Sequence, residues 1–103
     1  MKALSEAAAA ALSTETYLTR FSLRSEVEPS VLPRVLEPFA LRNLVPESVN
    51  CRRERGAMAI EVVVAGLEIA DIEHLTLRLS QIVPIRTVMA DQEVVASRTN
   101  GFG

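Results

Sequence analysis

The chain carries one cysteine, Cys51, and one histidine, His74. A structural zinc site needs four ligands, more than this pair supplies, and a single thiol cannot form an internal disulfide. His74 follows Asp71 by three residues and adjoins Glu73 in a stretch that reads as helix. Asp71 shares its face and Glu73 does not, because adjacent helical residues point apart. With no further donor nearby, His74 reads as a surface residue. Arg52, Arg53 and Arg55 cluster beside Cys51. Such a cluster could contact a phosphate or an acidic partner, but it reads first as a solvated edge strand whose charges prevent aggregation. Alternation with Val49 turns Cys51 toward the core, where a thiol packs as a small hydrophobe. No Ser/His/Asp or Cys/His set, phosphate loop or metal-ligand spacing occurs, so no catalytic residue, metal ligand or cofactor is assigned.

The elements that position these residues follow from the hydrophobic pattern. At 103 residues and 49% hydrophobic content, the chain suits one globular domain. A net charge of −2 and 4% aromatic residues give neither the basic field nor the stacking rings of a nucleic-acid binder. The apolar run from Ala7 to Leu12 is too short to span a membrane. One unpaired cysteine fits a reducing, cytoplasmic setting.

Residues 1–15 are alanine-rich without core-docking periodicity and read as a flexible or helical leader. From Tyr17 to Arg24 every second residue is suited to burial, a strand pattern. Val31, Leu32, Val35, Leu36, Phe39 and Ala40 form a helical stripe. Ser30 stands at its N-cap position, Pro38 is expected to kink or shorten it, and Asn43 suits its stop. Val49 to Glu54 alternates but is polar, as on an edge. Arg55-Gly56 makes a hairpin into Met58, Ile60, Val62 and Val64, the most apolar and so central strand. A second helix spans Asp71 to Gln81, and Pro84 precedes a short strand from Ile85 to Ala90. Residues 91–103, ending in an Asn-Gly pair and two glycines, read as a flexible tail.

Strand, helix, strand, strand, helix, strand is the α+β, ferredoxin-like split βαβ order (βαββαβ). Right-handed crossovers place both helices on one face of a four-stranded antiparallel sheet, with the first and third strands central. In TRFSLRS, in EPSVLPRVLEPFALRNLVPESV with its Arg34-Val35-Leu36 core, in AIEVVVAG and in IEHLTLRLSQIVPIRTV, residues 16–90 resemble the ACT domain, and most of all the small regulatory subunit of acetolactate synthase.

The resemblance implies a non-catalytic regulatory domain in branched-chain amino acid biosynthesis. It would bind an amino-acid effector at a homodimer interface and modulate a large catalytic subunit. It implies an effector site in two loops at one end of the sheet, Glu28-Pro29-Ser30 and Asn43-Leu44-Val45. Family members often have glycine at Asn43, and asparagine adopts the same left-handed backbone. The polar strand, through Val49, Cys51 and Arg53, is then the edge that pairs with its twin. An interaction or dimerisation module that binds no small effector stays open. A small enzyme would need a titratable partner for His74 or Cys51, and an RNA-recognition module would need aromatics on the central strands.

Overall fold

The computed structural model describes residues 15–96. The chain runs β1 (Glu15–Ser25), α1 (Val31–Leu41), β2 (Ser48–Glu54), β3 (Ala57–Ala65), α2 (Ile69–Ser80) and β4 (Ile85–Ala96). The four strands form one sheet in the order β2-β3-β1-β4, with every neighbouring pair antiparallel. The expected ferredoxin-like order and strand placement hold.

Both helices lie on one face of the sheet, because the helix stripes and one set of alternate strand residues form a single core. Phe21 and Leu23 of β1, Ile60, Val62 and Val64 of β3, Val31, Val35 and Phe39 of α1, and Leu75 and Leu79 of α2 are all buried together. Phe21 and Phe39 meet edge-to-face with ring centroids 5.3 Å apart, the geometry favoured by the ring quadrupoles. Among the described residues, no helix lies on the other face of the sheet.

Several local features depart from expectation. Helix α1 runs through Pro38 to Leu41 rather than stopping short. Burial of the Pro38 ring against the core offsets its missing N–H. Helix α2 begins at Ile69, ahead of Asp71. Strand β4 passes Ala90 and continues to Ala96, so residues 91–96 belong to the sheet rather than to a tail. Its outer part pairs with the start of β1, Tyr17 facing Val94 and Glu15 facing Ala96. That pairing satisfies the backbone of a polar segment whose sequence gives no apolar alternation. Apart from Glu15, which opens β1, the leader lies outside the described residues, as does the tail from 97 to 103. The Arg55-Gly56 hairpin is present, and both residues have positive φ (52° and 77°), as the type I′ turn between twisted strands requires.

Candidate functional site

Helix α1 is the element that carries the candidate effector loops. At its start, Val31 N–H donates to the Glu28 carbonyl and Arg34 N–H to the Ser30 carbonyl. Ser30 occupies the N-cap position but keeps a helical backbone (φ −81°, ψ −7°), and its side chain makes no capping bond. The expected hydroxyl cap is therefore absent: a capping hydroxyl reaches the N2 or N3 amide from an extended backbone. No acidic residue stands in the first turn of α1, so the positive end of its dipole meets no side-chain charge from the helix itself.

The far end of α1 is closed tightly. Asn43 adopts φ 60°. Its N–H donates to the Ala40 carbonyl, and Leu44 N–H donates to the Phe39 carbonyl at 2.9 Å. This is the Schellman arrangement, with Leu44 packed against the core as its apolar partner. Arg42 donates to the Asp71 carboxylate, which also accepts from Glu68 N–H at 3.3 Å. The Arg42 bond, then the Glu68 amide, holds the Asp71 pKa below its ordinary value. The pair fastens the end of α1 to the first turn of α2.

The two effector loops do not share an end of the sheet within one protomer. Next to Glu28–Ser30, Ser25 pairs with Met58 and Glu26 N–H donates to the Pro84 carbonyl. Next to Asn43–Val45, Glu47 N–H donates to the Val63 carbonyl. A helix of 11 residues separates the loops, about 16 Å at the rise of an α-helix. The cause is topological: a right-handed crossover joins parallel strands, so its helix must traverse the sheet and leave its two loops at opposite ends.

The edge strand β2 is open to solvent. Val49, Cys51 and Arg53 pair with Val62, Ile60 and Met58 of β3, so they lie on the helix-facing side. Cys51 is nevertheless exposed rather than buried, and Val49 retains 41% of its accessible surface. Alternation sets the side of a strand on which a residue lies, but not whether a helix covers it. Near β2, Leu41 and Val45 are also exposed apolar residues.

The arginine cluster is partly neutralised. Glu54 lies 2.8 Å from Arg52 and 3.3 Å from Arg24, and Arg20 on the same open face pairs with Glu61 and Glu93. Arg24, Arg52, Glu54 and Glu61 line a trough of about 480 Å³ with Ser22, Ala59, Thr87 and Met89. This network left no sequence signal because it joins residues from four strands whose register is not local. His74 is exposed, and the described residues contain no cluster of three or more side chains able to hold a metal. No described helix is long and apolar enough to cross a membrane.

The fold and its open edge point to a known class of small domain. Residues 12–96 match the family described as the ACT-like domain, and the chain belongs to that family. Such domains are generally regulatory and ligand-binding rather than catalytic, and commonly dimerise. Among solved structures, the ACT domain from GTP pyrophosphokinase of Chlorobium tepidum superimposes with a TM-score of 0.64 at 9% identity, covering 74% of this chain and 99% of that one. The C-terminal domain of the MgtC protein from Mycobacterium tuberculosis gives 0.58 at 15% identity, with 82% and 93% covered. An uncharacterized protein from Thermotoga maritima gives 0.57 at 15% identity, with 78% and 98% covered. At these identities the likeness is one of fold. No curated protein matches the sequence.

Proposed function

We propose that the chain is a regulatory subunit that pairs with a second copy through β2, binds an amino acid between the two copies, and modulates a metabolic enzyme such as acetolactate synthase. One observation carries this reading: the two candidate loops stand at opposite ends of α1. Antiparallel pairing of two β2 strands about a two-fold axis reverses one protomer relative to the other. The Asn43-Leu44-Val45 loop of one copy then lies at the same end of the joint sheet as Glu28-Pro29-Ser30 of the other. Loops that cannot share a ligand within a protomer share one across the pair. The uncapped start of α1 suits the carboxylate of an amino acid, since helix N-termini attract anions. The link to acetolactate synthase, and with it a cytoplasmic setting and branched-chain effectors, rests on the resemblance of the four sequence stretches.

Light scattering and a thermal-shift screen against free amino acids test the reading. A dimer stabilised by one class of amino acid is expected, by about 2.7 kcal/mol at a hundredfold excess over Kd. Co-purification of a large catalytic subunit identifies the regulated enzyme. A dimer that no amino acid stabilises is the alternative, a pairing module without an effector. A monomer at high concentration removes both.

A further inference from the structure

We infer that the second copy docks on β2 in one register, centred on Cys51, so that the two thiols face each other across the two-fold axis; this rests on the pairing proposed above. The argument is one of parity, overlap and charge. A two-fold axis normal to the sheet keeps every side chain on its own face, and directly opposed residues share a face. β2 pairs with β3 without a break in register from Ser48 to Glu54, so its alternation is regular. Opposed positions must therefore sum to an even number, which makes the axis pass through a residue.

Cys51 is the middle of the seven-residue strand, so an axis there pairs every residue of β2 with one of the second copy. Arg52 meets Asn50, Arg53 meets Val49, Glu54 meets Ser48, and beyond the strand Arg55 reaches Glu47. No like charges are opposed, and the apolar stem of Arg53 covers the exposed Val49. An axis through Arg52 opposes two guanidinium groups, which repel. An axis through Asn50 pairs only residues 48–52 of the strand and sets Arg53 and Glu54 against Glu47 and Pro46, which lie outside it. Charge and overlap thus select Cys51.

Disulfide trapping reads the register directly, because Cys51 is the sole cysteine. Opposed residues in an antiparallel pair have Cα atoms about 4.5–5.5 Å apart, within disulfide range. Twins one position from the axis are offset along the strand to roughly 8 Å, outside that range. Diamide, which takes two electrons and two protons from a thiol pair, serves as oxidant. The unmodified protein should form covalent dimer at least on the order of tenfold faster than N50C or R52C made in a C51S background, by that geometric criterion. Faster trapping by either variant overturns the register while leaving the dimer intact. Light scattering on the reduced protein at the same concentration separates the two ideas, since a monomer there overturns the pairing itself.

Discussion

The two helices of this domain start in opposite ways. Helix α2 has its first turn occupied by its own chain: Asp71 accepts from Glu68 N–H and from Arg42. Helix α1 starts without a side-chain cap and without an acid in its first turn, and is secured instead by its buried stripe and by the Schellman closure at Asn43. A start that the chain satisfies by itself is structural. One held open while the rest of the helix is firmly packed is available for something else, and the open start is the one in the candidate effector loop.

Changes at four positions break or sharpen that contrast. Phe39→Ala removes the ring that meets Phe21 and sits beside the closure of α1. If packing holds this helix, the loss should be about 3–5 kcal/mol in urea unfolding, and a loss below about 1 kcal/mol would mean that α1 is held by something else. Asn43→Ala forces a Cβ-branch-free but chiral residue into positive φ without the asparagine amide. A cost of about 1 kcal/mol is expected, recovered by Asn43→Gly. The smallest effect concerns the helix starts themselves. Asp71 has a lowered pKa in the folded state, so its contribution is fully present above its ordinary value of 3.8 and is lost as pH falls through the lowered one. Asp71→Asn should therefore flatten the acid limb of thermal stability below that pH. Ser30→Ala, with no capping bond to lose, should change stability by under about 0.5 kcal/mol at any pH. A larger loss there would show that the Ser30 hydroxyl caps α1 in solution.

The sequence displays this fold well where one face is buried. Phe21, Leu23, Ile60 and Val62 announce their strands by alternation, and Val35, Phe39, Leu75 and Leu79 announce their helices by spacing. It fails where pairing is remote or coverage decides. Asp91 to Ala96 extends β4 only because the start of β1 lies beside it, a partner far away in the chain. The side of the sheet on which Cys51 lies was legible, but its exposure depends on how far α1 reaches over the edge. The candidate loops were legible as turns, through Pro29 and Asn43. Their separation follows from crossover geometry, which no residue in either loop encodes. The Arg42–Asp71 tie left no sequence signal, since it joins two helices through an otherwise ordinary arginine.

The pairing of Glu15 with Ala96 at the outer end of β1 and β4 has a consequence for architecture. The described part of the fold begins and ends on adjacent strands, about 5 Å apart. Such a unit behaves as a cassette: it can be spliced into a surface loop of a host protein without prying the loop's ends apart. The same closeness allows the two ends to be joined and the chain reopened at the Arg55-Gly56 turn, giving a circular permutant that retains every strand pairing except the hairpin's covalent link.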